Sequence, residues 1–530
     1  MARLRRFLIV THRWLGIPLS AVFVLWFASG IVMMYAGGMP QLTPETRLAR
    51  LPPLDLEAVR LTPAEAAERA GIAYAPERAT LVTVLGRPAY RFDDLFGAVT
   101  VFADDGAVLE PGDAERSRRI AAAFLDVPVE RVRYERTVTE PDQWTLTLAR
   151  DLPLHKLTVD DGAGTEVYVS PERAEVRLVT TARTRALAWA GTIPHWFYIT
   201  PLRTNQPLWY WTVVALSGLG CVLAVLGLAL GVTQFRPTKP FNLWQSIRYR
   251  GWMRWHYLLG VVFGVFALTW VFSGLLSMEP FEWTRSTSFD LQRTALAGGP
   301  LELERFPPFD ARRWEGLGGE RAIKEIELAR ILDAPYYIAR YSGEAPVHEG
   351  KRERLHQPYR VGGREQPGRI IVAADTLREA EPFDADRLVA ALTAAVPDAP
   401  VAEHTLLHDY DSYYYSRGGR APLPVLRVKF ADPLETWVYV DPAAGDILAE
   451  VNRYNRLERW LYNGLHSLDF AFWYDKRPLW DVGLIVLSLG GLAGSAIGLW
   501  LGLKRLRRDA ARLAARRRGR LAAALSQRSA

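Results

Sequence analysis

Hydrophobic positions are gathered in this chain rather than spread along it. Four stretches run without a charge for about 22 residues or more, the length a helix needs to cross the hydrocarbon of a bilayer. They are Trp14–Tyr35, Leu208–Phe235, Trp255–Met278 and Val482–Leu503. The pattern predicts a membrane α-helical protein of four spans, at 1–35, 208–235, 255–278 and 481–503. A short loop, 236–254, joins the middle pair, and 504–530 is a basic tail. The first stretch follows arginines, as a secretory signal would. It is longer than a signal's apolar core and no Ala-x-Ala site follows, so it reads as an uncleaved anchor.

The long segments 36–207 and 279–480 carry both charge signs and change period. Thr80–Val84, Ala89–Phe92 and Val99–Ala103 alternate or are β-branched, with a turn at Asp104–Gly106. Leu423–Phe430 and Thr436–Val440 form a second set of strands. Helical patterns precede them at Pro63–Gly71 and Asp384–Val396. Two extracytoplasmic α+β regions are the expectation, each a small antiparallel sheet packed by one or two helices.

The two halves repeat. His12 matches His256, each three residues before a Leu-Gly pair, and at the same offset Trp26 meets Trp270 and Ser29-Gly30 meets Ser273-Gly274. At a second offset Thr165–Pro171 meets Thr436–Pro442, Trp189 meets Trp460, and His195 meets His466. Gly220, Gly227 and Gly231 then meet Gly491, Gly498 and Gly502. A single register holding a His, a Trp and three glycines points to duplicated two-span halves. Both run in the same direction, so the pseudo-twofold axis is expected along the membrane normal.

Charge orients the spans. Arg3, Arg5, Arg6 and Arg13 precede the first, and Arg236, Lys239, Arg248, Arg250 and Arg254 crowd the short loop. Lys504, Arg505, Arg507, Arg508 and Arg516–Arg518 follow the last. The positive-inside rule places all three on the cytoplasmic side and the long segments outside. The formal net charge of +7 therefore reflects topology and anionic lipid, not nucleic acid. Trp209, Trp211, Trp252, Trp255, Trp283 and Trp480 sit at span ends, as interfacial belts do.

Composition narrows the chemistry. One cysteine, Cys221, excludes disulfide frameworks, thiolate zinc sites, protein-ligated iron–sulfur clusters and covalent c-type haem. No phosphate loop or Gly-x-Ser-x-Gly elbow is present. No acid lies inside the four charge-free stretches, which gives a cation transporter little support. Of nine histidines, His12, His256, His195 and His466 obey the repeat. His155, His348, His356, His404 and His408 do not, and the last two read as a surface segment. Two histidines on each face suit haem iron, which takes one axial ligand from each side. A helix from His12 to Tyr35 is about 35 Å long, so His12 and His195 cannot share one iron. Pairing across the axis works: His12 with His256 on the cytoplasmic side, His195 with His466 outside. Two bis-His haems of b type favour electron transfer over oxygen binding. Arg13 and Arg254 are candidate propionate partners.

Three features together resemble one family. They are the opening Leu8–Gly16 around His12, the sheet motif Trp437–Gly445, and the His466 segment before the last span. They resemble the PepSY-associated transmembrane family of bacterial inner-membrane proteins, over nearly the whole chain to about Leu503. Members include iron-regulated membrane proteins and di-haem reductases of ferric siderophores. The resemblance implies a multi-pass inner-membrane protein with cytoplasmic termini and two periplasmic PepSY-like domains. It implies haem b on His12, His256, His195 and His466, and electrons passed outward to a ferric chelate or siderophore. Some relatives carry a fused flavin/nicotinamide module and the tail here is too short for one. A quinol or a cytoplasmic reductase is then the expected donor. The first-half motif departs, reading Tyr168-Val-Ser-Pro171, so the two soluble regions need not share a ligand role. The competing reading is a PepSY binding or regulatory protein that holds a peptide or restrains a protease, without redox activity.

Overall fold

The computed structural model of the chain describes residues 2–94, 97–282, 284, 289, 291, 293–314, 317, 322–342, 368–415, 421–470, 472–474 and 476–526. His348, His356 and Trp283 lie outside them. The chain divides into two compact units: a membrane unit of 1–36, 189–281 and 460–530, and an extramembrane unit of 37–188 and 282–459.

Among the described residues, four helices are long and apolar enough to cross a membrane. They are Ala2–Ala36, Gln206–Gln234, Trp252–Leu276 and Leu479–Ser526. The first packs on the second and the fourth, and the third also packs on both, closing a four-helix bundle. Two of these helices outrun their apolar stretches. The fourth continues unbroken through the basic tail, because Ala, Leu and Arg are strong helix formers and no proline interrupts them. Small residues let the helices approach closely. A Cβ on Gly220 would stand 2.8 Å from Val271, and one on Gly231 would stand 2.9 Å from Val261. Phe23, Phe27, Leu19, Leu223 and Val271 fill the centre of the bundle.

In the extramembrane unit the strands are β1 Arg78–Val84, β2 Arg87–Asp93, β3 Ala98–Phe102, β4 Val132–Val138, β5 Leu154–Val159, β6 Glu166–Ser170 and β7 Glu175–Thr180. They continue with β8 Ile323–Ile331, β9 Ala334–Tyr341, β10 Arg369–Ala373, β11 Val401–Leu407, β12 Val425–Phe430, β13 Trp437–Asp441 and β14 Asp446–Val451. The helices preceding two of these sets run Pro63–Arg69 and Ala385–Ala395, close to the expected ranges. Capping side chains start both, Thr62 with Glu65 and Asp384 with the Arg387 amide.

The two extramembrane segments do not stay apart. β1 pairs antiparallel with β8, with Ala79 opposite Leu328 and Leu81 opposite Ile326. This joins three strands from each segment into one sheet, in the order β10-β9-β8-β1-β2-β3. Unpaired, β1 and β8 would each present a row of open N–H and C=O groups, and pairing covers both edges at once. Two further sheets, β4-β5-β6-β7 and β11-β12-β13-β14, flank it. His404 lies on strand β11 and pairs with Asp386 at 3.5 Å.

Buried charges cross these sheets. On β8, Glu325 meets Arg47 and, at 3.1 Å, Arg340, and Glu327 meets Arg78 at 3.1 Å. Arg91 on β2 reaches Glu175 on β7 and the Arg173 carbonyl at 2.9 Å, tying the central sheet to a flanking one. Burial alone would raise the Glu175 carboxyl. Arg91, Arg47 and Arg177 outweigh it and hold the group below the usual carboxylate range. Its unfolded value is about 4.3. A depressed folded value means that stability is present above that pH and drains away as pH falls through the folded value. Far-UV circular dichroism of the detergent-purified protein should therefore show the sheets melting progressively below about pH 4. Glu175→Gln, which strands Arg91 beside a neutral amide, should cost about 3–5 kcal/mol in denaturant unfolding at neutral pH and flatten that acid limb.

Candidate functional site

The repeat-matched histidines meet in two pairs. The His12 and His256 rings stand 6.4 Å apart between centroids, at 40° to one another. The His195 and His466 rings stand 6.2 Å apart, at 81°. All four belong to the membrane unit. His12 comes from the first helix and His256 from the start of the third. The other two sit on short helical turns, Thr192–Trp196 and Leu465–Ser467, just before the second and fourth helices.

Each imidazole is anchored through the same atom. His12 Nδ1 lies 3.3 Å from the Leu223 carbonyl, and His256 Nδ1 lies 3.0 Å from that of Gly494. A carbonyl only accepts, so Nδ1 carries the proton in both rings. His195 Nδ1 lies 3.0 Å from Ser29 Oγ and 3.2 Å from the Trp26 carbonyl. His466 Nδ1 lies 2.9 Å from Ser273 Oγ. These serines spend their own protons on helix carbonyls, Ser29 on Leu25 at 2.6 Å and Ser273 on Trp270 at 3.0 Å. Their oxygens are left to accept from the histidines. In all four rings Nε2 is therefore the unprotonated nitrogen, the atom free to bind a metal.

A glycine backs each ring. A Cβ on Gly227 would stand 3.0 Å from His12 Cε1, and one on Gly498 3.0 Å from His256 Cε1. The corresponding separations are 3.4 Å for Gly30 to His195 and 3.9 Å for Gly274 to His466. In the Ser-Gly pairs of the first and third helices the serine orients the loop histidine, and the glycine lies at ordinary contact distance from its ring. The sequence marks these residues as a repeat, but only the tertiary contact reveals what they do.

The loop turns are held just as symmetrically. Phe197 and Leu468, two residues after the histidines, take left-handed backbone conformations with φ of 53° and 49°. Bulky residues rarely accept this, and such strain persists where the surroundings over-determine it. Here Trp209 Nε1 donates to the Trp196 carbonyl at 2.8 Å, and Trp480 Nε1 donates to that of Ser467 at 3.1 Å. Burial, and for His195 the facing His466, push both loop imidazoles well below their usual value, so both are neutral, as a ligand must be.

His12 and Ser29 are seventeen residues apart on one helix, which sets the two pairs about 25 Å apart along the bundle. Aromatic rings occupy the interval: Phe23 stacks on Phe27 at 6.1 Å, and Phe27 meets Trp270 at 5.8 Å. Among the described residues there is no group of three or more His, Cys, Asp or Glu that could hold a bare metal ion. Each pair brings two imidazoles together at one end of the bundle. Arg254 is engaged elsewhere, since its Nε donates to the Tyr249 carbonyl at 2.8 Å and its guanidinium lies over Trp244. Arg13 is exposed.

The glycine contacts are testable by size alone. Gly227→Ala and Gly498→Ala should each cost about 1–3 kcal/mol, because the facing imidazole must give way. Gly218, on the same helix as Gly227, has nothing within 4 Å of a built Cβ. Gly218→Ala should leave thermal unfolding in detergent unchanged within about 0.5 kcal/mol.

Comparison with known proteins gives one family. Its description is PepSY-associated TM region, and it matches residues 9–308, which include the first three spanning helices, His12, His195 and His256. No curated protein matches the chain significantly. A match over more than half of its length means that this chain belongs to the PepSY-associated TM region family.

Proposed function

We propose that the protein carries two b-type haems and passes electrons through the membrane to ferric iron or a ferric siderophore on the outer side. One observation carries the reading: the two histidine pairs and their spacing. Iron–nitrogen bonds of about 2 Å, plus about 1.1 Å from each nitrogen to its ring centre, require about 6 Å between bis-imidazole centroids. The observed 6.4 and 6.2 Å fit that requirement. The common tautomer, with Nδ1–H bonded and Nε2 bare, is what axial ligation needs.

Haem iron held this way supplies one-electron Fe(III)/Fe(II) exchange and keeps no open position for oxygen. The chain's own part is to hold and tune. His12 and His256 ligate at the end of the bundle nearer the chain termini, and His195 and His466 at the other. The carbonyls of Leu223 and Gly494, and the hydroxyls of Ser29 and Ser273, raise the basicity of the rings and fix their rotation. Phe23 and Phe27 keep the interval apolar and dry. The basic N-terminus, loop and tail orient the first pair toward the cytoplasm, where a quinol or a reductase is the donor. The halves are a duplication, which accounts for two similar sites. The PepSY-like domains outside position the ferric chelate.

An absorption spectrum of the detergent-purified chain, oxidised and dithionite-reduced, tests this, with a pyridine haemochrome count. A b-type spectrum with about two haems per chain is expected. His12→Ala or His256→Ala should remove one haem, and His195→Ala or His466→Ala the other. Full haem content in both His12→Ala and His466→Ala would sink the reading and leave the non-redox binding role in its place.

The hydroxyl anchors predict like behaviour in the two halves. Ser273→Ala removes one acceptor of His466 and leaves it the Trp270 backbone carbonyl, as Ser29→Ala leaves His195 the Trp26 carbonyl. Redox titration should show a change in haem potential of the same direction and similar size in both variants. No change in either would contradict the assigned hydrogen bonds.

A further inference from the structure

The His195/His466 end holds polar side chains that the ligands do not use. Thr192 and Asn463 stand three residues before the two loop histidines, about one helical turn away on the same side. They are repeat counterparts, and both are fully buried, at 0% and 1% exposure. Thr192 Oγ1 and both amide atoms of Asn463 lack a hydrogen-bond partner. Ser467, adjacent to His466, is buried and its hydroxyl is likewise unpartnered. So is the indole N–H of Trp270, whose counterpart Trp26 gives its own to the His195 carbonyl at 3.1 Å.

The local backbone is unusual as well. Arg459–Gly464 winds as a π-helix, which shifts Asn463 relative to an ordinary helical turn. Such bulges recur at functional sites. Burying a donor without a partner is unfavourable. Groups of this kind are retained in a folded protein when something polar binds to them. Four such side chains at one end, all able to donate, call for an acceptor-rich group. Asp469, the buried acid that follows, has interactions of its own within the protein. A haem presents such a group, because its two propionates must be satisfied wherever the macrocycle is buried.

We propose that Thr192, Asn463, Ser467 and Trp270 seat the propionates of the haem ligated by His195 and His466. This rests on the haem reading above. Neutral donors bond a carboxylate without cancelling its charge. Removing one should therefore leave more negative charge beside the iron and favour the ferric state of that haem alone.

The test uses the full chain purified in detergent, as Asn463→Leu, Ser467→Ala and Thr192→Val, each also combined with His12→Ala to isolate the haem in question. The resonance Raman propionate-bending band should shift, and the midpoint potential of that haem should fall while the other stays put. Transfer of that haem to apomyoglobin should quicken about tenfold in Asn463→Leu, the effect of losing one charge-assisted hydrogen bond. If Asn463→Leu does not accumulate, the near-isosteric Thr192→Val and Ser467→Ala carry the same readouts. A haem-replete wild type whose variants leave band, potential and transfer rate unchanged overturns this inference alone. A wild type without haem overturns the haem reading and this inference with it.

Discussion

An imidazole can bind a metal only through a nitrogen that carries no proton, and in a neutral ring the other nitrogen decides which one that is. Four hydrogen bonds from Nδ1 settle this for His12, His256, His195 and His466. The rest of the membrane unit is arranged around them. Helix carbonyls serve the two histidines carried on spanning helices. Serine hydroxyls, already committed to their own helices, serve the two on loops. Gly227 and Gly498 follow from the same need, because the rings of His12 and His256 leave little space for a Cβ there.

The extramembrane unit solves a different problem with equal economy. Each half offers three strands, and the antiparallel β1–β8 pairing closes the edge that each turns to the other. The cost is that Glu325 and Glu327 fall in the interior of the joined sheet. Coulombic attraction to Arg47, Arg78 and Arg340 offsets their desolvation, and each glutamate meets more than one arginine. The same logic holds Arg91 between two sheets. These ion pairs bind segments far apart in sequence, so they specify which sheets meet.

Much of the architecture is legible in the sequence, and the gaps have physical causes. Apolar length reveals the spans, because a bilayer imposes a length that few soluble helices match with so little charge. Alternation reveals β1–β3, β12 and β13 to within a few residues. It misses β8, whose run Ile323–Ile331 carries two glutamates on a buried face, and β4, whose central residues are exposed. In both cases the pattern that marks a half-buried strand is broken by partners contributed from elsewhere. The repeat singles out four histidines from nine, and helix length alone argues for their cross-axis pairing. The serine anchors are visible as repeated spacing between the halves but not as hydrogen-bond acceptors. The polar residues Thr192, Asn463 and Ser467 carry no signal in the sequence, since their meaning lies in what they fail to touch.

The sequence by itself determined the four spans, the repeat and which histidines belong together, because apolar length and register are properties of the chain read along its length. Tertiary structure decided the tautomer of each ring, the glycine behind it and the joining of two half-sheets into one. Those depend on atoms brought within about 3 Å by segments hundreds of residues apart, and only folding sets such distances.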